Sequence, residues 1–150
     1  MLKSQITYSA KETQTLAKEL AKKILQRGAG NNALVLSLSG DLGAGKTTFL
    51  QGFAKGLGIK EKILSPTFIL MKRFGVKSGI FKNFYHIDCY RFKNEKDLES
   101  LDFKEIMEDP ENIIAIEWSE RIKKTLPKEV ISIILKHLKD NKRNIQISLF

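Results

Sequence analysis

Residues 40–47 form a glycine-rich run whose residue types and spacing suit the binding of a triphosphate. The run reads Gly-Asp-Leu-Gly-Ala-Gly-Lys-Thr. Its glycines let the backbone turn tightly and bring amide groups against phosphate oxygens. The ammonium of Lys46 suits the last two phosphates, and the hydroxyl of Thr47 suits a magnesium ion. The pattern therefore predicts a phosphate-binding loop that holds a nucleoside triphosphate together with Mg²⁺.

The segments on either side of this run must position it. Residues 33–38 are mostly apolar and predict a buried strand that leads into the loop. Residues 49–57 predict a helix after the loop, ended by Gly58. Because that helix begins near Lys46, the positive end of its dipole would face the phosphates. A glycine-rich turn without a ligand is the alternative, and the order strand, loop, helix favours the phosphate site.

Two later segments predict strands that end in carboxylates. Residues 113–118 form an apolar strand that delivers Glu117, and residues 80–88 end at Asp88. Beside a phosphate-binding loop, a carboxylate from a buried strand holds the magnesium ion, although aspartate is commoner there than glutamate. The plainer explanation of Glu117 is a strand that surfaces with a charge. We predict that Glu117 binds the metal and that Asp88 holds a magnesium-bound water or orients the attacking water.

Three further side chains are candidates near these segments. His86 lies two residues before Asp88, so both point to the same side of a strand, and we expect a packed, hydrogen-bonded histidine rather than a base. Arg91 could contact phosphate or pair with a neighbouring carboxylate. Thr67 could present its hydroxyl or carbonyl to the nucleotide, but a strand entry after Pro66 is the favoured interpretation on the residues alone.

The overall pattern predicts the α/β fold of P-loop NTPases: a single mixed sheet flanked by helices, with antiparallel hairpin additions. A capping box, in which the Ser9 hydroxyl caps the helix and Glu12 reaches back, begins the first helix. We expect one P-loop ATPase domain over residues 1–150. The other predicted elements are an opening strand at 6–8, a hairpin of 68–74 and 80–88, two short helices within 94–109 broken near Asp102, a short helix at 119–126, and a C-terminal hairpin of 130–138 and 145–150.

Composition restricts the partners and the location. The formal net charge of +9 over 150 residues favours an anionic partner such as nucleic acid, but the lysines are spread along the chain and a solvated surface explains them equally well. No apolar run reaches the length of a membrane span, and the N-terminus lacks the apolar core of a signal peptide, so we expect no membrane partner. The single cysteine, Cys89, suits a reducing cytoplasmic location.

The sequence favours ATP, because the motif Asn-Lys-x-Asp that reads guanine is absent. Two other functions remain open. A small-molecule kinase would need an arginine-bearing lid, and the arginines here are few and scattered. In a nucleotide-gated binding module, ATP would be held and its hydrolysis would be incidental.

Four segments together resemble the bacterial TsaE (YjeE) family. They are residues 40–48, Ser-Pro-Thr-Phe at 65–68, Tyr-His-Ile-Asp-Cys-Tyr-Arg at 85–91, and Ile-Glu-Trp at 116–118. The resemblance implies an ATPase that is required for the threonylcarbamoyladenosine (t6A) modification of tRNA and that hydrolyses ATP slowly alone. It also implies two partner proteins, TsaB and TsaD. TsaD would transfer the threonylcarbamoyl group, ATP turnover would reset the complex, and tRNA contact would be indirect.

The resemblance further implies a role for individual residues. Lys46, Asp88 and Glu117 would be catalytic, with Asp88 at the γ-phosphate. Thr47 and Glu117 would hold Mg²⁺, and Trp118 would lie beside the metal site. The residues implied to bind ATP are Glu12, Gly43, Ala44, Gly45, Lys46, Thr47, Thr48, Asp88 and Arg143.

Overall fold

The computed structural model describes residues 2–65, 70–77 and 79–149. The strands are β1 (Leu2–Thr7), β2 (Leu34–Ser39), β3 (Met71–Gly75), β4 (Asn83–Asp88), β5 (Asn112–Glu117), β6 (Ile131–His137) and β7 (Arg143–Ser148). The helices are α1 (Ala10–Arg27), α2 (Lys46–Gly56) and α3 (Phe103–Glu108), with 3₁₀ helices at Glu95–Leu101 and Ser119–Ile122. None of the helices in the described part of the chain combines the length and the apolar character that crossing a bilayer requires.

The strands lie in one seven-stranded mixed sheet, in the order β1-β7-β6-β2-β5-β4-β3. Strand β2 runs parallel to both β5 and β6, and β4 runs parallel to β5. The outer pairs β1–β7, β6–β7 and β3–β4 are antiparallel. The predicted α/β fold with hairpin additions is therefore confirmed. Because parallel strands end at the same edge of a sheet, the residues that follow β2, β4 and β5 are brought together there.

Helices α1 and α2 pack against each other on one face of the sheet. Two glycines of α2 make the close approach possible, because a Cβ at Gly52 would overlap the main chain of Gln14 and one at Gly56 would crowd Lys18 and Ala21. Buried side chains of both helices and of the sheet form one large core; they include Ala17, Leu20, Phe49, Phe53, Phe84, Ile113 and Ile133. This packing fixes the start of α2 relative to the strand ends.

The opposite face of β2, β4 and β5 is covered by a second core. Its strand members are Val35, Ile87, Ile114 and Ile116, and its cover includes Phe92, Leu98, Phe103 and Ile122. All six residues of β5 are buried, as expected for a parallel strand with helices on both faces. The strand that delivers Glu117 is therefore held on both sides by packed side chains.

The helix predicted at 119–126 is shorter than expected. It is a 3₁₀ helix over Ser119–Ile122, and turns follow it. Trp118 just before it adopts a left-handed conformation with φ 57°, which places the Trp118 ring back towards the loop instead of beginning a regular α-helix. The break predicted near Asp102 is confirmed, since Asp102 has φ 54° between a 3₁₀ helix and α3.

The opening strand is longer than the predicted 6–8, because β1 begins at Leu2. Its residues before Thr7 are exposed, so the strand lacks the apolar alternation that sequence analysis detects. Thr67, interpreted from the sequence as a strand entry after Pro66 with a nucleotide contact as the alternative, lies outside the described residues, as do Pro66 and Phe68.

Candidate nucleotide-binding site

The loop between β2 and α2 has the backbone conformation that its glycines permit. Gly40, Gly43 and Gly45 have φ values of 146°, 79° and 103°. At Gly40 a Cβ would also overlap the carbonyl of Leu135 on β6. Glycine is therefore needed at Gly40 for two reasons. The positive φ is a conformation that L side chains rarely adopt, and the neighbouring strand leaves no space for a Cβ. Gly45 is the N-cap of α2, so the helix begins directly at Lys46.

Lys46 is held inside this loop. Its Nζ donates to the carbonyl oxygens of Gly40 at 2.5 Å and Asp41 at 3.0 Å, and it lies 4.1 Å from the centroid of the Trp118 ring. The residue is only 5% exposed. Burial lowers the pKa of the Lys46 ammonium, and the negative charges of Glu117, Glu120 and Asp88 partly oppose that change. A phosphate oxygen is a stronger acceptor than a carbonyl, so the ammonium is placed where an anion would stabilise it.

A chain of three side chains crosses from α2 to β4. The Thr47 hydroxyl donates to Glu117 Oε1 at 3.2 Å. The other oxygen of Glu117, Oε2, lies 2.5 Å from His86 Nε2. His86 and Glu117 are 1% and 3% exposed. The expectation that His86 is packed and hydrogen-bonded is confirmed, and its partner is the predicted metal ligand.

Asp88 lies beside Glu117, because the two residues are register partners on the parallel strands β4 and β5. Its Oδ1 accepts from the Tyr90 amide at 2.9 Å, and its Oδ2 accepts from the Ser65 hydroxyl at 3.3 Å. Burial raises the pKa of the Asp88 carboxyl, and the charge of Glu117 acts in the same direction. The bonds from Tyr90 and Ser65 and the nearby His86 oppose this shift. The site thus holds a half-buried carboxyl with an increased affinity for protons.

The donor set suits a magnesium ion. Thr47 Oγ1 and Glu117 Oε1 are 3.2 Å apart, so both oxygens can face one small cation. In the part of the chain that the structure describes, there is no group of three or more His, Cys, Asp or Glu residues that could hold a metal by themselves. Mg²⁺ does not need such a group, since it commonly takes one carboxylate together with phosphate oxygens and water.

Comparisons with known proteins show the family to which the chain belongs. The family model for "Threonylcarbamoyl adenosine biosynthesis protein TsaE" matches residues 7–145. The chain is a member of the TsaE family. The tRNA threonylcarbamoyladenosine biosynthesis protein TsaE of Bacillus subtilis (strain 168) is 37% identical over 139 residues, covering 93% of this chain and 80% of that protein. Its counterpart in Rickettsia typhi is 42% identical over 136 residues, covering 90% of this chain and 87% of that protein.

A solved structure extends the agreement to the fold. The crystal structure of Bacillus subtilus YdiB matches with a TM-score of 0.78 and 31% sequence identity, covering 99% of this chain and 86% of that one. The resemblance to the TsaE family and the P-loop NTPase fold that it implied are both confirmed.

Two residues assigned to ATP only by the resemblance lie where β7 and α1 begin. In this TsaE-family chain, Arg143 Nη2 donates to the Gly43 carbonyl at 3.4 Å, and a Cβ added at Gly45 would lie 3.6 Å from Arg143 Nε. Glu12 instead closes the start of α1: Oε2 accepts from the Tyr8 amide at 2.8 Å, while its own amide donates to Ser9 Oγ at 3.1 Å. The structure therefore brings Arg143 against the loop. Glu12 caps the start of α1, but it accepts from the amide of Tyr8, the residue just before the predicted capping box.

The other predicted ATP residues belong to the loop itself. Ala44 is buried and its amide donates to the Asp41 carbonyl at 3.0 Å. Thr48 lies in the first turn of α2. Both positions stay predictions as nucleotide contacts.

The resemblance implied that Trp118 lies beside the metal site, but sequence reasoning missed the cluster that Trp118 forms with Tyr90 and Arg121 beside Lys46. The rings of Tyr90 and Trp118 have centroids 5.0 Å apart, and the Arg121 guanidinium lies 5.7 Å from the Tyr90 ring and 5.9 Å from the Trp118 ring. Tyr90 follows β4 and Trp118 follows β5, so the same parallel pairing that aligns the carboxylates also aligns these rings. Apart from the resemblance, which named Trp118, the signal in the sequence was the position of both rings just after the predicted carboxylates.

Proposed function

We propose that this protein is a magnesium-dependent ATP hydrolase that acts in the t6A modification of tRNA. The observation that carries the proposal is the convergence of Lys46, Thr47, Asp88 and Glu117 at one edge of the sheet, with Thr47 Oγ1 3.2 Å from Glu117 Oε1. Membership of a family named for threonylcarbamoyl adenosine biosynthesis supports the biological role. In this proposal residues 1–150 act as one P-loop ATPase domain in the cytoplasm, where tRNA is modified.

The loop would bind ATP by its terminal phosphates. Amides of residues 43–48 and the dipole at the start of α2 would face the phosphate oxygens. Lys46 would leave the carbonyls of Gly40 and Asp41 and bind the β- and γ-phosphates. Arg143, which already contacts the loop at Gly43, would add a second positive charge, and Glu12 would line the nucleotide from the start of α1.

Thr47 and Glu117 would hold the cation that accompanies ATP. When held there, Mg²⁺ would supply positive charge to offset the negative charge that develops on the phosphate oxygens during transfer. Asp88, at the end of the neighbouring strand, would accept a hydrogen bond from the attacking water and direct its oxygen at the γ-phosphorus. As the new bond to water forms, the bond to the bridging oxygen of ADP breaks, and the products are ADP and inorganic phosphate.

The partners in this proposal are TsaB and TsaD. Binding and hydrolysis of ATP would change the affinity of this protein for the TsaB–TsaD complex and so reset that complex after each threonylcarbamoyl transfer. Contact with tRNA would be made through those partners. The net charge of +9 would then favour approach to a complex that carries tRNA.

The test is ATP turnover with and without the partner proteins. We expect slow, Mg²⁺-dependent release of phosphate by the protein alone, faster release when TsaB and TsaD are added, and t6A formation on unmodified tRNA only in the complete mixture. EDTA, which removes Mg²⁺, should stop phosphate release, and this control shows whether hydrolysis depends on the cation. Turnover that stays unchanged when both partners are added would contradict the proposal.

A nucleotide-gated module is the second candidate, because the half-buried carboxyl of Asp88 at the end of β4 could sense the γ-phosphate without directing a water molecule. Asp88→Asn, which we expect to bind ATP without hydrolysing it, separates the two functions. If that variant still supports repeated t6A formation, hydrolysis is dispensable and the module is the correct function.

A further inference from the structure

His86 is a buried polar residue to which the proposed reaction gives no role. It lies on β4, pairs in register with Ala115, and is 1% exposed. Glu117 follows Ala115 by two residues on β5, so its side chain and that of His86 lie on the same face of the sheet. That face is the one on which α2 packs, because Phe84 and Ala115 belong to its core.

The two oxygens of Glu117 have unequal contacts, because only Oε2 contacts His86, and the Thr47 hydroxyl lies closer to Oε1 than to Oε2, which is 3.5 Å away. Oε2 lies 2.5 Å from His86 Nε2, while Oε1 accepts from the Thr47 hydroxyl at 3.2 Å. An ionised carboxylate can only accept hydrogen bonds, so with Glu117 ionised the hydrogen in the contact with His86 is on Nε2. The imidazole therefore fixes one oxygen of the carboxylate and leaves the other as the closer acceptor for the Thr47 hydroxyl.

A glutamate needs such a partner more than an aspartate would. The glutamate side chain has one more rotatable bond than the aspartate that is commoner at this position, and each free bond spreads the carboxylate over more orientations. A donor fixed on a buried strand removes that freedom before the cation arrives. Groups that orient a metal ligand in this way raise metal affinity without touching the metal.

We propose that His86 is a positioning residue, whose Nε2–H holds Oε2 of Glu117 so that Oε1 stays directed at Thr47 and at the cation that both residues are proposed to share. This inference rests on the proposed function, since it assigns the cation to Thr47 and Glu117. It concerns the affinity for Mg²⁺ and not the affinity for the phosphates, which Lys46 and the loop would provide.

The first experiment compares the wild-type protein with His86→Leu and His86→Gln. A fluorescent ATP analogue is titrated with Mg²⁺ to find the concentration that gives half-maximal binding, and its affinity is measured again in EDTA. We expect His86→Leu to raise the Mg²⁺ midpoint about tenfold and to leave the affinity in EDTA unchanged. The amide of His86→Gln can still donate, so its midpoint should return to within about threefold of wild type.

The matched control is Phe84→Leu, two residues earlier on the same face of the same strand. Phe84 is fully buried but belongs to the apolar core, so this variant should unfold at a lower temperature with an unaltered Mg²⁺ midpoint. If His86→Leu behaves in the same way, His86 is only structural and the inference is wrong. If the wild-type protein shows no Mg²⁺-dependent binding, the proposed function itself fails.

The second experiment takes its deciding observation from the wild-type protein and uses one variant only for comparison. Nitrogen-15 NMR of the histidine side chains in the metal-free wild-type protein reports which ring nitrogen carries hydrogen. We expect a protonated, slowly exchanging Nε2 at His86, and a change in its resonance in Glu117→Gln. A bare Nε2 at His86 would overturn the inference directly.

Discussion

The sheet has two halves that contribute unequally to the site. Strands β2, β5 and β4 are parallel and end at one edge, where they supply the loop, Glu117 and Asp88. Strands β1, β7 and β6 form an extension that we call antiparallel because β7 is antiparallel to both of its neighbours, although β6 itself runs parallel to β2. Among the described residues, Arg143 of this extension donates a hydrogen bond to Gly43 of the phosphate loop. The parallel half is packed against a hydrophobic core on each face, so its side chains are held in fixed positions. The buried polar side chains His86 and Glu117, whose burial is energetically unfavourable, lie in this half, where packing constrains the backbone most.

This difference predicts that substitutions in the parallel half impair the chemistry, whereas those in the antiparallel half change affinity modestly. Lys46→Ala should have the largest effect. It removes a buried ammonium whose hydrogen bonds to phosphate would each contribute ~1.5–3 kcal/mol, so ATP affinity should fall about 1,000-fold. Calorimetry with ATP and Mg²⁺ measures the change.

The control for Lys46→Ala is Lys55→Ala, which removes an exposed lysine from the last turn of the same helix. That variant should bind ATP like the wild type. An affinity of Lys46→Ala within threefold of the control would show that the loop is not a phosphate site, and the comparison between the two halves would lose its basis.

Asp88→Asn should have the next largest effect. A residue that orients or deprotonates the attacking group contributes about 100-fold or more, so the hydrolysis rate should fall at least 100-fold while ATP affinity stays near wild type. The pKa of Asp88 is raised by burial, so wild-type turnover should decline on the acid side at a higher pH than an ordinary carboxyl would give. Single-turnover rates between pH 4 and about 8 measure both quantities. A binding loss as large as the rate loss would place Asp88 in ATP binding instead.

The same raised pKa has a consequence for folding. Since the folded protein binds the Asp88 proton more tightly than the unfolded chain, the ionised carboxyl lowers the free energy of unfolding at neutral pH. That loss is relieved as the pH falls through the folded-state pKa. Asp88→Asn should therefore unfold at a higher temperature than wild type at pH 7, and the difference should disappear at acid pH. Thermal unfolding of the nucleotide-free proteins at both pH values measures it, and an equal gain at both would assign it to another cause.

Glu117→Gln should raise the Mg²⁺ concentration needed for half-maximal ATP binding about 10- to 100-fold. It removes the negative charge that would attract the cation and leaves a neutral amide between Thr47 and His86. The Mg²⁺ concentration for half-maximal ATP binding is the measurement. Glu120→Gln, an exposed neighbour on the following 3₁₀ helix, is the matched control. Equal midpoints in the two variants would remove Glu117 from the metal site.

The sequence predicted the local parts of this site well. The spacing of Gly40, Gly45, Lys46 and Thr47 determines the loop, since the contacts that shape it lie within a few residues. The strand ends at Asp88 and Glu117 followed from apolar runs that stop at a charge. These predictions depended on interactions between residues that are close in the chain, and a single sequence shows such residues directly.

The long-range pairing could not be predicted from the sequence in the same way. That His86 contacts Glu117 depends on the parallel register of β4 and β5, which joins residues separated by 31 positions. The contact of Arg143 with Gly43 joins residues 100 positions apart through the place of β7 beside β6. Only the resemblance to the TsaE family pointed to Arg143. Glu12 shows the opposite case, because a local capping pattern explains the contacts that the structure gives it.

Arg143→Ala should have the smallest effect and is the sharpest test of the difference between the halves. Its bond to the Gly43 carbonyl is long, at 3.4 Å, and the side chain is partly exposed, so solvent screens its charge. We expect ATP affinity to fall about threefold, with the Mg²⁺ midpoint and the hydrolysis rate of bound ATP unchanged. Lys142→Ala, one residue earlier and exposed, controls for loss of a charge from the same turn. If Arg143→Ala instead slows hydrolysis as much as Asp88→Asn, the antiparallel extension delivers a catalytic charge, and the division between a chemical half and a supporting half of the sheet is wrong.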